Sequence, residues 1–589
     1  MRRTGTDSSP PRSARAATLA LVVGVVTLAG CRSEPGMPSA KELAAMVNET
    51  EEPTLDHRGP GVDLTDGGPG RFVRVLYNAF RVERTMEVVE FMDARYRTPG
   101  SDGFRESSER IEAALREVGF GERPDLELEV LTTQMEDAAW NARGGELRLF
   151  TSAGGEAVLH AFDDPSGADR CLLPENAPSC DVEGPVRLGL DDVGPGDVLV
   201  TEAALREDLL LRAKRKGASA VISASMSSYN VDPSGRDQHL DAIQFRAVAA
   251  GSDLPVAQIS PRSYAQLAEA VAAGGARVRL RAEVELGDRE VRTLVATVVG
   301  SSSPEEVVVL STHLEAPGAC DNASGAAGQL ENAATLVRVL DGGGLEWPAR
   351  SVTFVWGLEN DEVDIWLAHS ERTPIAAVNA VMIGESRAET GAVPLLERYP
   401  DPGAVVTIEP DKHSLWGSRE IEAHWLVPNG LSVIARCALV DVGRHAGTWE
   451  TFENPYEGGT DHERFLQSEV PAVLFWHFTD FTFHTSLDRL SRVDGEELRR
   501  MATAAMATAL AIADPLPSDL TRYLRSLDQE RKLRVTVAEE AGRLDVAEDW
   551  RNWTSGARQW FRVLCLPIEG DEAWLPTPLE SASLKTENE

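Results

Sequence analysis

The chain has 589 residues, of which 42% are hydrophobic. This length exceeds what one hydrophobic core supports, so we expect two or three globular domains rather than a disordered protein. The 94 Asp and Glu residues against 58 Lys and Arg give a formal net charge of −36. This charge argues against nucleic acid as a partner, because binding to phosphates needs a basic surface.

Residues 1–30 predict a signal peptide. An apolar run from Ala16 to Ala29 is too short for a comfortable membrane span, and it follows the positive charges of Arg2, Arg3, Arg12 and Arg15. Leu28-Ala-Gly-Cys31 is similar to a bacterial lipobox, which implies lipidation of Cys31. We therefore expect a lipoprotein anchored in the bacterial cell envelope, on its periplasmic or extracellular face. The alternative is a plain secretory signal with a chance cysteine.

Two different patterns follow this segment. Residues 31–70 are rich in Glu, Pro, Gly and Asp and predict a flexible tether. Two helices are then predicted between Phe72 and Phe120, separated by the breaker-rich run Arg95-Tyr-Arg-Thr-Pro-Gly-Ser101.

Residues 131–287 predict a β-rich α+β unit. Short apolar strands such as Gly196–Val200 alternate with helices such as Leu205–Lys216, and residues 278–286 alternate between apolar and charged side chains. Cys171 and Cys180 bracket a short loop, which predicts a local disulfide in an exported protein. None of the candidate metal ligands lies in this unit.

The next segment places a histidine and an aspartate around a strand-to-helix turn. Residues 306–310 form an apolar strand-like run, His313 and Asp321 come after it, and apolar residues then recur at helical spacing from Leu330 to Val337. Ligands of open α/β sheets gather at the carboxyl ends of strands. We therefore expect His313 and Asp321 at one rim of a sheet.

Three later strands carry further polar groups to the same predicted rim. Residues 351–358 run into Glu359, residues 377–384 into Glu385, and residues 471–476 lead to a loop that holds His484. Histidine and carboxylate are ligands that zinc accepts at catalytic sites. Taken singly, these residues have simpler explanations, since an aspartate in the position of Asp321 also caps helices.

Together these segments resemble peptidase family M28, which includes zinc aminopeptidases, glutamate carboxypeptidases and glutaminyl cyclases. The resemblance covers roughly residues 72–130 and 290–515. It rests on five motifs in order: His313-Leu-Glu315, Asp321-Asn-Ala-Ser-Gly325, Glu359-Asn360, Gly459-Thr-Asp-His-Glu-Arg-Phe465 and His484-Thr-Ser-Leu-Asp488. In the last but one, Asp461 and His462 either line the substrate cleft or begin a helix.

The resemblance implies an α/β fold, with a three-layer α/β/α catalytic domain around a mixed, mostly parallel sheet. This domain is discontinuous, over residues 71–130 and 288–515, and a helix from Asp494 towards Ala513 closes it. Residues 131–287 are then a protease-associated-type insert over the cleft or, alternatively, a solubilising insert. Residues 516–589 predict a C-terminal helical extension, whose aromatic residues pack on the main domain or meet a partner.

The resemblance also implies roles for four residues. Asp321 is expected to bridge two zinc ions, with His313 on one and His484 on the other, and a metal-activated water is the expected nucleophile. Glu359 is expected to take and pass on its proton, although it is also a candidate metal ligand.

Two departures from the family pattern bear on the second ion. Asn360 stands where the family has a glutamate ligand, and Val381 stands where it has an aspartate ligand. Glu385 and Glu315 are the candidate carboxylates for replacing these two missing ligands. One zinc ion is therefore an alternative to two.

The sequence thus predicts a zinc-dependent hydrolase of peptide or aminoacyl amide bonds, with an aminopeptidase as the first hypothesis. The second hypothesis is a single-zinc acyl transferase similar to glutaminyl cyclases. The third is a catalytically degenerate M28-like lipoprotein that binds peptides.

Overall fold

The computed structural model describes residues 67–134, 137–287, 290–417 and 419–566. The predicted signal peptide, the lipobox with Cys31 and most of the predicted tether lie outside these ranges. Among the described residues, no helix combines the length and the apolar character needed to cross a membrane.

The described chain contains fifteen strands. They are β1 (Leu126–Gln134), β2 (Ala139–Thr151), β3 (Glu156–Phe162), β4 (Cys180–Arg187), β5 (Val198–Thr201), β6 (Ala220–Ser223), β7 (Val256–Gln258), β8 (Ala276–Gly287), β9 (Glu290–Val298), β10 (Ser303–His313), β11 (Arg350–Gly357), β12 (Thr373–Ala380), β13 (Val393–Glu397), β14 (Phe452–Asn454) and β15 (Ala472–Phe478).

Fourteen α-helices accompany them in the described ranges. They are α1 (Gly70–Ala79), α2 (Val82–Asp93), α3 (Asp102–Glu117), α4 (Glu207–Lys216), α5 (Pro261–Ala272), α6 (Ala323–Asp341), α7 (Asp361–His369), α8 (Arg387–Thr390), α9 (Pro402–Val405), α10 (Leu431–Ala446), α11 (His462–Gln467), α12 (Gly495–Ala513), α13 (Asp519–Glu540) and α14 (Leu544–Cys565). Three helices, rather than the two predicted, precede β1, because the break after Ala79 contains no Gly or Pro.

The larger sheet has eight strands in the order β1-β9-β11-β10-β12-β15-β13-β14. Strand β10 pairs in parallel with β11 and with β12, and β12 pairs in parallel with β15. The flanking pairs β1–β9, β9–β11 and β13–β15 are antiparallel. The central strands are buried along most of their length, which is typical of parallel strands covered by helices on both faces. The predicted α/β class is confirmed.

A second sheet has seven strands in the order β3-β2-β8-β4-β5-β6-β7. Its strands are antiparallel from β3 to β4 and parallel from β4 to β7, so an antiparallel half adjoins a parallel half. Strand β1 continues to Gln134 in the larger sheet, so the chain passes to the second sheet after the predicted boundary at residue 131. Cys171 and Cys180 are both free, so the predicted disulfide is absent.

Helices α13 and α14 are joined to the rest of the molecule by buried aromatic and charged side chains. Trp550, Trp553 and Phe561 belong to the same hydrophobic core as the central sheet. Arg534 of α13 is 2% exposed and its Nη1 atom lies 2.5 Å from Oδ2 of the buried Asp411. The C-terminal aromatic residues therefore pack on the main body of the protein.

Candidate metal centre

The structure brings the four predicted metal ligands to one rim of the larger sheet. His313 is the last residue of β10, Asp321 precedes α6, and Glu359 follows β11 by two residues. His484 lies in the loop after β15. Nε2 of His313 lies 3.7 Å from Oδ1 of Asp321 and 3.9 Å from Oε1 of Glu359. This convergence follows from the parallel pairing of β10 with its neighbours.

His484 lies against Asp321 from the other side. Its Nε2 atom is 2.9 Å from Oδ2 of the buried Asp321, which is a hydrogen-bonding distance. Burial raises the pKa of Asp321, but the neighbouring His484 and His313 outweigh this effect and lower the pKa below its usual value. Asp321 is therefore an ionised carboxylate with a lone pair available to a cation.

The imidazole of His484 is held by aromatic rings. It stacks on Phe483 with ring centroids 3.9 Å apart, and the ring of Phe245 meets it edge-on at 5.9 Å. The carbonyl oxygen of His484 accepts hydrogen bonds from the Phe245 backbone N–H at 2.6 Å and from Gln244 Nε2 at 2.8 Å. The segment that carries the second sheet thus fixes the position of a predicted ligand.

Buried hydrogen bonds fix the position of the loop that carries Asp321. Asp488 accepts hydrogen bonds from the backbone N–H groups of Cys320 at 2.6 Å and of Asp321 at 2.9 Å. Arg97, which is fully buried, donates to the carbonyl oxygen of Gly318 at 2.6 Å. A Cβ atom on Gly325 would lie only 2.7 Å from the carbonyl oxygen of Ala380, so the start of α6 packs against β12 only with glycine there.

Acidic groups surround His313, at the end of β10, and Glu359, just after β11. Glu315 accepts a hydrogen bond from the backbone N–H of Glu359 at 2.8 Å, and its other oxygen lies 3.6 Å from Nδ1 of His313. Burial lowers the pKa of His313, but Glu315 and Glu359 outweigh it and raise this pKa well above its usual value. The site therefore attracts positive charge.

Burial also raises the pKa of Glu359 to about 8, with Glu315 and Asp461 adding to the effect and His313 opposing it. The side chain of Glu359 is still 33% exposed. A carboxyl group with a pKa near neutrality can both take and release a proton, which suits a general base.

The donors fit a zinc ion in chemical type but do not enclose one. Two imidazoles and two carboxylates are ligands that zinc accepts, and Asp321 lies between His313 and His484 with one carboxylate oxygen towards each imidazole. The distances of 3.7 and 3.9 Å from His313 to Asp321 and to Glu359 are longer than hydrogen bonds, whereas His484 is within hydrogen-bonding distance of Asp321. The residues present therefore fit the metal.

A cavity of about 240 Å³ opens beside these residues, and all four predicted ligands line it. Its wall is largely apolar and includes Val381, Met382, Trp416, Leu474, Trp476 and Phe483, and the second-sheet segment contributes Glu175 and Phe245. The cavity is smaller than the roughly 300–1,000 Å³ typical of small-molecule pockets. It can accept a group about the size of one side chain.

Comparison with known families identifies part of this region. Residues 293–367 match the model of peptidase family M28, a range that includes His313, Asp321 and Glu359. This segment is similar to peptidase family M28. The predicted resemblance to this family is confirmed, and the match and the fold together support the predicted enzyme class, an M28-like metallopeptidase.

Several solved structures are similar to this chain. A peptidase M28 precursor from Shewanella amazonensis SB2B is 16% identical, with 76% of this chain and 97% of that chain covered and a TM-score of 0.50. BSAP, a zinc aminopeptidase from Bacillus subtilis, is 14% identical over 74% and 96% of the two chains, with a TM-score of 0.47. An aminopeptidase from Aneurinibacillus sp. strain AM-1 is 17% identical over 75% and 96%, with a TM-score of 0.45. No curated protein sequence matches the chain.

The two departures from the M28 pattern lie at the site. Val381 directly follows β12, is 4% exposed and lines the cavity. Asn360 has a positive φ of 69° and precedes α7, and its backbone N–H donates to Oδ1 of Asp461 at 3.1 Å. Neither residue offers a carboxylate to a second zinc ion.

Of the two expected substitute carboxylates, only Glu315 is near the site. Glu385 lies instead with Cys320 and Asp480, in a separate buried group. Asp461 accepts a hydrogen bond from Asn379 Nδ2 at 2.9 Å, and Nε2 of His462 lies 2.8 Å from Oε1 of Glu397. Both residues are buried, and Asp461 directly precedes α11, of which His462 is the first residue.

Sequence reasoning missed several residues at the site. Glu175, Gln244, Phe245 and Trp416 carry no motif and come from segments far along the chain, so only folding shows that they approach His484 and the cavity. Phe483, which stacks on His484, is its neighbour in the sequence.

Proposed function

We propose that this protein is a zinc-dependent hydrolase of peptide or aminoacyl amide bonds and acts as an aminopeptidase. The observation that carries the proposal is the convergence of His313, Asp321, Glu359 and His484 on one cavity within an M28 fold. Zinc, when bound, polarises a scissile carbonyl and activates water for attack.

The residues of the chain have separate tasks in this proposal. Asp321 and His484 hold the zinc ion together with His313, since His313 and Asp321 are buried and the ring of His484 is stacked on Phe483. Glu359 takes a proton from the attacking water and gives it to the leaving amine. Its partial exposure and its raised pKa support that role.

The dimensions of the cavity support exopeptidase action. A space of about 240 Å³ holds one residue and not an extended peptide. The aromatic and aliphatic wall around Trp476 and Phe483 favours a large apolar side chain next to the scissile bond.

We further propose that the protein is attached to the cell envelope through Cys31 and that the segment carrying the second sheet is a protease-associated-type lid. The contacts of Phe245 and Gln244 with His484 support the second point. The presence of Glu175 at the cavity agrees with it.

A single-zinc acyl transferase is the second candidate. Asn360 and Val381 stand at the two positions where carboxylate ligands of a second zinc ion are expected. Zinc content should be measured by mass spectrometry alongside turnover of aminoacyl amides, their N-acetylated forms and peptides with N-terminal glutamine. An aminopeptidase cleaves the free-amine amides and spares the acetylated ones, whereas a cyclase releases ammonia from glutamine. A protein without zinc and without turnover of any of these compounds would refute both.

A further inference from the structure

A second group of potential metal ligands lies on the inner side of the Asp321 loop. One ligand atom from each of Cys320, Glu385 and Asp480 lies within 4.8 Å of the other two. All three residues are 0% exposed. They come from three separate segments, namely the loop before α6, the chain after β12 and the loop after β15.

Each of the two carboxylates has one oxygen held by the protein and one oxygen without a partner. Oε2 of Glu385 accepts from the Gly384 backbone N–H at 2.9 Å, whereas Oε1 has no hydrogen-bond partner among the described residues. Oδ1 of Asp480 accepts from the Thr482 backbone N–H at 2.6 Å and from its hydroxyl at 2.7 Å. Oδ2 of Asp480 is likewise without a partner in the described structure.

Such an arrangement calls for a proton or a cation. Burial of an unpaired carboxylate in a protein interior is strongly unfavourable, and buried polar atoms are nearly always hydrogen-bonded. Burial raises the pKa of Glu385 well above its usual value and that of Asp480 to about 6. His477 is the basic group next to Glu385, and its Nδ1 atom lies 3.2 Å from Oε2. This contact involves the oxygen that already accepts a hydrogen bond and not the unpartnered Oε1.

Asp488 does not join the group as a donor. Both of its oxygens already accept backbone N–H groups, from Cys320 and from Asp321. The open positions therefore belong to two carboxylate oxygens, and Cys320, whose thiol also contacts Asp488, adds a sulfur. This set suits Zn²⁺ or a similar borderline cation, since Mg²⁺ and Ca²⁺ prefer oxygen ligands alone.

We propose that Cys320, Glu385 and Asp480 form a second, buried metal site for Zn²⁺, separate from the site of His313, Asp321, Glu359 and His484. The ion binds the Cys320 thiolate and the unpartnered oxygens Oε1 of Glu385 and Oδ2 of Asp480. It links the loops that carry Asp321 and His484, because Cys320 directly precedes Asp321 and Asp480 lies four residues before His484. Its role is structural, and it shares no donor with the proposed catalytic site.

The sulfur donor gives this site its own signal. The proposed catalytic site has no cysteine, so a thiolate-to-metal charge-transfer band of the Co²⁺-loaded full chain reports the buried site alone. We expect the band in the wild-type protein and in His484→Ala. We expect its loss in Cys320→Ser and its retention in Cys437→Ser, a matched control with another buried thiol.

Metal content provides the second measurement. Glu385→Gln and Asp480→Asn are each expected to lower the bound zinc by about one ion per chain, while His369→Ala, an exposed histidine, leaves it unchanged. X-ray absorption of the wild-type zinc protein needs no variant and is expected to show sulfur at about 2.3 Å. A spectrum with nitrogen and oxygen ligands alone, or Co²⁺ bound without a charge-transfer band, would overturn the proposal. A wild-type protein that shows the charge-transfer band but has no peptidase activity would instead refute only the proposed function.

Discussion

Nε2 of His484 lies 2.9 Å from Oδ2 of Asp321, on a ring stacked 3.9 Å from Phe483. The two side chains belong to different loops, yet aromatic packing and the hydrogen bonds of Asp488 to the Asp321 loop hold each of them in place. The pair is therefore oriented for a cation before one binds, which limits the conformational entropy lost on binding.

Replacement of His484 tests the zinc assignment. His484→Ala is expected to abolish hydrolysis and to remove the zinc ion of the catalytic site, because an imidazole ligand is lost and the methyl group cannot replace it. Zinc per chain and turnover of a leucyl amide are the measurements. His369→Ala, an exposed histidine on α7, is the control and should behave as wild type. Unchanged turnover in His484→Ala would contradict the site.

Replacement of Glu359 separates its two predicted roles. If Glu359 transfers the proton, Glu359→Gln should lower kcat by roughly 100- to 10,000-fold with zinc content unchanged. If Glu359 is a ligand, zinc content should fall as well. Because burial raises the pKa of this carboxyl to about 8 in the metal-free protein, the comparison should be made on the zinc-loaded protein at several pH values.

Replacement of Val381 tests whether the missing carboxylate limits the site to one zinc ion. Val381→Asp puts a carboxylate at the cavity, next to the rim that holds His313 and Asp321. We expect a lower Tm in chelator, since the new charge is buried, and recovery of Tm with one additional zinc per chain when zinc is supplied. Val381→Asn is the control of equal size. A zinc-independent Tm in Val381→Asp would show that the position does not face the metal site.

Removal of one aromatic wall tests the proposed preference for apolar substrates. Trp416 lines the cavity and meets the ring of Phe483 edge-on at 5.6 Å. Trp416→Ala is expected to raise KM for leucyl and phenylalanyl amides by about 3- to 10-fold, since part of the burial of a large side chain, worth roughly 1.5–3 kcal/mol, is lost. KM for alanyl amides should change little. An equal rise for all three substrates would argue against this pocket.

The ion pairs of Asp411 with Arg398 and Arg534 predict how acid affects the free energy of unfolding. Burial raises the pKa of Asp411, but Arg398 and Arg534 outweigh it and lower the pKa from its usual 3.8 to about 2. The unfolded chain therefore binds more protons between these values, so the stabilisation is present above pH 4 and is lost as pH falls towards 2. The shift corresponds to roughly 2–3 kcal/mol.

Urea unfolding of Asp411→Asn checks this expectation. The variant should lose about 3 kcal/mol or more at pH 7, because two buried guanidinium groups lose a charged partner, and its stability should fall less steeply below pH 4. Asp253→Asn removes the exposed partner of Lys214 and should change stability by less than about 1 kcal/mol. Equal behaviour of the two variants would rule out a special role for Asp411.

Much of the fold could be predicted because its central strands are continuous apolar runs. Residues 306–310, 351–357 and 472–476 are buried strands of the larger sheet, as expected. The rim followed from the same reasoning, since parallel strands bring their carboxyl ends together. The metal-binding roles of His313, Asp321, Glu359 and His484 remain predictions.

The amino-acid sequence by itself determined the α/β class, the M28 segment and the edge of the sheet where the four polar side chains meet, because local periodicity and motif order specify them. Only the tertiary structure decided that Phe245 supports His484, that Glu385 joins Cys320 and Asp480, and that the C-terminal tryptophans enter the core. These contacts join segments far apart along the chain. No local pattern encodes them, because they depend on how whole layers pack.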